Sequence, residues 1–260
     1  MPTEREWEHD RERFVAWWQQ RPAEQRVRTV ADDRSALWSP LARQFAELGR
    51  DLFAAPTLAG ALQRIIDAVP PAVLGTDLAA ISLRGPGGLA TLASTDHARA
   101  AELDALQRQH GQGPVADATA SDGTGLSSSP DLTDGAHWPD FAPAAAERGV
   151  RSVLAVGVFP VHDDHRAGAL ATYSREPRGL AAADPNVAVV LAAFAATAVS
   201  STRAATADEL HRATAGEPLR SCVAVERAID LLTRKRHLPP DDVYDVLRHA
   251  SAQLRASRSV

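Results

Sequence analysis

The sequence predicts an α+β fold: an antiparallel sheet with helices on one face, then a long connecting helix and a small all-α C-terminal module. Three observations predict it. Two pairs of short strand-like runs each bracket a turn-forming segment. Stretches with apolar residues at helical spacing come before, between and after those pairs. The last segment holds two amphipathic helices and no strand signal.

Residues 1–40 carry four of the five tryptophans, Trp7, Trp17, Trp18 and Trp38. Trp7, Phe14, Trp17 and Trp18 fall at i, i+7, i+10 and i+11, so one helix carries an aromatic face. That face packs on the main domain or on a second subunit, with ligand stacking as the alternative. LARQFAELGRDLF and LAGALQRIIDAV follow as two helices, with Thr57 as the N-cap of the second. DLAAISLR (77–84) and LATLAST (89–95) read as strands around Gly85-Pro86-Gly87-Gly88, and 97–110 reads as a helix. The stretch 111–140, rich in Gly, Ser, Asp and Pro, is a long functional loop or several short strands.

GVRSVLAVGVFPV (149–161) and GALATYSR (168–175) form a hairpin around residues 162–167. A helix opens near Asp184-Pro185 and meets no breaker until Gly216. Its Val187, Leu191, Phe194, Ala198 and Ser201 make a 4-3-4-3 seam that a second helix could approach closely. In the last segment, Val225, Ala228, Leu231 and Leu232 share one helix face. Val243, Val246, Leu247, Ala250 and Leu254 share another, after Asp241 and Asp242 at the helix start. Two such short helices bury too little alone and need the main domain or a second copy.

Composition narrows the function. The chain has 260 residues, 45% of them apolar, and a net charge of −5, which argues against a general polyanion-binding protein. Of the 28 basic residues 27 are Arg, and 51 residues are Ala, the bias of GC-rich coding, so Arg in place of Lys carries little information. The single cysteine, Cys222, excludes an intramolecular disulfide, a CxxC redox pair and a Cys-rich zinc site. MPTEREWEHDRERF lacks the apolar core of a signal peptide, and the apolar run Val187–Val199 is too short to cross a bilayer, so a bacterial cytoplasmic setting is expected.

No GxSxG, Walker A or HExxH sequence occurs, so an enzyme reading has no candidate nucleophile or base. His162-Asp163-Asp164-His165 has metal-ligand residue types, but in a hairpin turn such side chains are solvated. His97, His110 and His137 are expected as solvated or hydrogen-bonded histidines rather than haem ligands. No metal and no cofactor are therefore expected.

Residues 41–203 resemble a GAF domain of the actinobacterial kind. The resemblance lies in GQGPVADA (111–118) and DLTDGAHWPDFAPAAAERGVRSVLAVGVFPV (131–161), with Gly113-Pro114, Asp131-Leu132, Trp138-Pro139 and Gly149 to Ser152 in the family's order. It implies a sensor with an unidentified small-molecule ligand and a pocket near His110, Gly113, Pro114 and Trp138. GAF relatives that bind bilin covalently or reduce methionine sulfoxide use cysteines within the domain, and none lies between residues 1 and 221. The Asn-Lys-Phe signature of cyclic-nucleotide binders is absent, Asn186 being the only Asn.

Residues 208–260 resemble an ANTAR domain through Val225 to Leu232, the basic RKRHL turn and PDDVYDVLRHAS (240–251). The combination implies a homodimeric regulator whose helix 184–214 connects the sensor to an RNA-binding end acting on hairpins of nascent transcripts to prevent termination. Residues 219–260 are net +3, with Arg220, Arg227, Arg234, Lys235, Arg236, Arg248 and Arg255 as the phosphate-contacting candidates. Arg227 and Arg234 share a helix face. The chain departs from the family where Ala-Lys-Gly becomes Ala228-Ile229-Asp230 and where the third helix shortens to RASRSV. The alternative is a degenerate module used only for dimerisation or protein binding.

Overall fold

The computed structural model describes residues 2–19, 40–52, 54–55, 57–85, 88–120, 125–134, 137–158, 168–200 and 220–256. Five strands, β1 (Leu78–Gly85), β2 (Gly88–Ser94), β3 (Leu126–Ser129), β4 (Ser152–Val158) and β5 (Gly168–Ser174), form one sheet in the order β2-β1-β5-β4-β3. Every neighbouring pair is antiparallel. Both expected hairpins form: β1 pairs with β2 through a bulge at Ile81/Ser82, and β4 pairs with β5 from Ser152↔Ser174 to Val158↔Gly168. The first and last of these four strands meet in the middle, β1 on β5. The fourth pairing brings in β3, drawn from the stretch read as a loop or short strands.

Strand alternation sorts the sheet into two unlike faces. One presents Ala79, Ile81, Leu83, Leu92, Leu154, Val156, Val158 and Leu170 to a core shared with α3 (Leu58–Asp67) and α8 (Pro185–Ser200). The other presents Leu78, Ala80, Leu89, Val153, Ala155, Ala169, Ala171 and Tyr173 to α5 (His97–His110), α6 (Pro114–Ala118) and α7 (Phe141–Glu147). This corrects the expectation of helices on one face. The physical reason is visible in β4 and β5, buried at every position, as strands covered on both sides are.

Local signals hold at the helix ends. Thr57 caps α3 by accepting from the Gly60 amide at 3.1 Å. Asp96 does the same for α5, accepting from the Arg99 amide, and Gly111 in the left-handed region ends that helix.

Residues 187–199 of α8 are all buried. The helix lies on β4 and β5 and packs against α3, the short α4 (Val69–Ala72), α9 (Arg220–Asp230) and α10 (Pro240–Ala256). The seam expected to receive a second helix is thus filled within the chain. Ser201, the continuation of that helix to 214, residues 162–167 and Trp38 lie outside the described residues. One continuous core runs from the sheet through Phe194 of α8 to Ala228, Leu232, Leu247 and Leu254 of the terminal helices, and on to Trp7 and Trp18 of α1 (Glu4–Gln19). Phe45 of α2 (Pro40–Leu52) stacks on Phe194 at 6.3 Å between ring centres, and Gln44 accepts a hydrogen bond from the Ser251 hydroxyl at 2.6 Å.

Phe194→Ala removes the aromatic centre of this core and is expected to cost about 3–5 kcal/mol of unfolding free energy. Urea unfolding followed by far-UV circular dichroism and by tryptophan fluorescence should give one coincident transition at the lower midpoint.

Candidate functional site

On α5 the buried stripe reads Ala100, Leu103, Asp104, Leu106 and Gln107, which sets a carboxylate among apolar side chains. Asp104 is 2% exposed, and its Oδ2 accepts hydrogen bonds from the hydroxyls of Ser82 on β1 and Thr91 on β2, each at 2.6 Å. Burial raises its pKa above the ordinary 3.8, while the two hydroxyls, Arg108 and His97 pull the other way and offset only part. Tyr173 of β5 is buried nearby, and its hydroxyl is pushed up first by that burial and then by the charge of Asp104. These polar groups sit on the sheet face otherwise floored by Ala80, Ala155, Ala169 and Ala171.

Gln107 ties this cluster to α6. Its side-chain oxygen accepts from the Val115 amide at 2.8 Å and the Ala116 amide at 3.4 Å, serving as a cap supplied by another helix, while Pro114 lacks the donor that would need one. Gly113, at φ +136°, lies so close to Gln107 that a Cβ there would overlap its side chain. Gly113-Pro114 therefore lets α6 settle on the alanine floor, where Val115 and Ala118 are fully buried.

Trp138, itself at φ +54°, donates its indole N–H to the Asp117 carboxylate at 2.8 Å and packs edge-on against Phe141. Gln112 and Asp140 bond each other twice, the Gln112 amide donating at 2.9 Å and its oxygen accepting from the Asp140 backbone at 3.2 Å. Asp131 accepts from the Thr133 amide and hydroxyl, which holds its carboxyl below the ordinary range, and Leu132 bonds the Arg151 carbonyl.

Of the expected pocket residues, the structure thus gathers Gly113, Pro114 and Trp138 around α6 as a lock between α6 and α7. His110 is separate, half-exposed at the end of α5. His97 and His110 stand at opposite ends of that helix, about 20 Å apart by helical rise, and so serve no common ligand. Sequence reasoning missed Asp104, although its signal was present as an acid inside the apolar stripe of α5.

Four of the seven expected RNA-contacting residues face partners within the chain. Arg227 donates to the Thr197 hydroxyl at 3.4 Å, and Arg236 to Asn186 Oδ1 at 2.6 Å. Arg248 forms a two-nitrogen fork on Glu4 at 2.9–3.0 Å, and Arg255 pairs with Glu47 at 3.4 Å. Arg220 opens α9, and Arg234 and Lys235 fall in a π-helical turn, Leu231–Lys235, that ends it. Among the described residues no three His, Cys, Asp or Glu side chains gather to hold a metal ion, and no helix is long and apolar enough to cross a membrane.

No known family and no curated protein matches the chain. Among solved structures it is similar to a GAF domain region from Geobacter sulfurreducens PCA, at 18% identity and a TM-score of 0.42, over 56% of this chain and 94% of that one. It is also similar to the phytochrome photosensory core module of Stigmatella aurantiaca, at 13% identity and a TM-score of 0.40, over 67% of this chain and 37% of that one. A third similar structure is the chromophore-binding domain of a bacteriophytochrome from R. palustris, at 12% identity and a TM-score of 0.38, over 61% of this chain and 59% of that one.

Because the fold raises the pKa of Asp104, folded chains hold its proton more tightly than unfolded ones. Its ionised form therefore costs stability at neutral pH, and that cost disappears as pH falls through the raised value toward 3.8. Wild type should gain stability relative to Asp104→Asn between pH 7 and pH 4, read from paired urea titrations; a difference constant with pH would refute this. Gly113→Ala should destabilise by about 1–3 kcal/mol through backbone strain and displacement of Gln107, read in the same titration at neutral pH.

Proposed function

We propose that the chain is a cytoplasmic sensory regulator: a GAF-type domain over residues 41–203 coupled through α8 to an ANTAR-like helical output that binds RNA hairpins and prevents transcription termination. The observation that carries this reading is the core that α8 shares with the sheet on one side and with α9 and α10 on the other. A change in sheet packing reaches the terminal helices through contiguous side chains. The sequence motifs of the sensor support it too, since Gly113-Pro114 and Trp138 meet where α6 closes on the sheet. A small-molecule ligand or a proton acting at that sheet face, beside Asp104, is the input. A homodimer would pair through surfaces other than the α8 seam, which is covered in cis.

The internal pairing of Arg227, Arg236, Arg248 and Arg255 favours a second reading, in which the terminal helices serve only packing or protein contacts. Gel shifts with two-hairpin RNAs bearing unpaired loop bases separate the two. Binding tighter than to random RNA, falling steeply between about 50 and about 200 mM salt and weakened by Arg227→Glu with Arg234→Glu, is expected of phosphate contacts. An affinity equal to that for random RNA and untouched by those substitutions would leave the packing role.

A further inference from the structure

The first and last helices, α1 and α10, meet through an interlocking set of charges and rings. A capping box fixes the start of α1, with the Thr3 amide donating to Glu6 at 2.7 Å and the Glu6 amide to the Thr3 hydroxyl at 3.4 Å. From there Glu4 takes both terminal nitrogens of Arg248, and the Trp7 ring lies 4.8 Å from the same guanidinium. One turn along, Asp10 accepts from the Tyr244 hydroxyl at 2.8 Å, and Phe14 packs on the Tyr244 ring at 5.5 Å. On the flank Arg11 pairs with Asp241 at 3.4 Å and with Asp245 at 3.2 Å.

The environment of Arg248 has a particular chemistry. A planar guanidinium is forked by two oxygens of an anion and stacked against a flat aromatic plane. Those are the two contacts an arginine makes to a nucleic acid strand, with phosphate oxygens in place of the carboxylate and an unpaired base in place of the indole. We infer that α1 is a resident occupant of a single-stranded RNA site on α10, with Glu4 standing in for a phosphate and Trp7 for a stacked base, so that RNA and α1 compete for Arg248. This rests on the RNA-binding reading above and adds its location and its regulation. Glu4 is 72% exposed at its side chain and Arg248 34%, so this pair is accessible to salt and to a competing polyanion.

The test uses the full chain and two readouts: hydrogen exchange of the α1 backbone, and affinity for a hairpin RNA with unpaired loop bases against a duplex of equal length. In wild type, hairpin RNA should raise α1 exchange and the duplex should not. Glu4→Gln, an exposed and conservative change, should raise α1 exchange and tighten hairpin binding about two- to fivefold, the scale of one exposed ion pair. Glu4→Gln with Trp7→Leu should tighten it further, and Arg248→Gln should abolish the gain. If α1 exchange rises in the Glu4 variants while hairpin affinity stays at the wild-type level, the competition is overturned and RNA binding stands. If hairpin RNA binds no better than duplex to wild type and to the Glu4 variants, RNA binding itself falls.

Discussion

A helix with no polar side must be covered on every side, and α8 imposes that constraint on the rest of the chain. Within its fully buried run only Thr197 carries a polar side chain, and its hydroxyl bonds back to the Ala193 carbonyl at 2.8 Å. The sheet covers one flank of α8. The remaining flanks require α3, α9 and α10, and α10 in turn is closed by α1 and α2. Two short terminal helices that could not bury a core alone acquire one by lying on the apolar helix α8. The sheet layer and the terminal helices are therefore distinct in sequence and continuous in packing.

The two sheet faces divide the labour. The face toward α8 is built mainly of Ile, Leu and Val, which fill volume and fix the helix in position. The face toward α6 is built largely of alanine, so backbone elements approach closely and a few polar groups decide the fit. A carboxylate there is costly to ionise, and Asp104 is retained with two hydroxyls on one of its oxygens. Protonation of Asp104 shifts the balance of a few hydrogen bonds on this second face, whereas the first is held mainly by dispersion and burial.

What was legible in the sequence was local. Thr57 as a cap, His97–His110 as a helix, the two hairpins and the apolar stripe of α10 follow from turn chemistry and periodicity within a few residues. The second helical layer was not read, because alternation reports that a strand is buried and not what buries it. The motif residues Gly113, Pro114 and Trp138 were visible as a motif, but their joint role in seating α6 depends on Gln107 and Asp117, which only the fold brings to them. The arginines of α9 and α10 were legible as positive charge. Their partners were not, since Glu4 lies 244 residues from Arg248 and no local pattern couples them.

The contact between Tyr244 and Trp7 spans 237 residues, which gives the order of synthesis a physical meaning. On the ribosome α1 emerges long before α10 exists, so Trp7 and Phe14 at first lack the Arg248 and Tyr244 side chains they pack against in the fold. The sheet and α5 to α7 can condense first around contacts of shorter reach, while the core on the other face stays open until the last helix arrives. Closure of that core is then a late, long-range event with a high entropic barrier, and the aromatic helix at the start is the segment most exposed to chaperones and to aggregation in the interval.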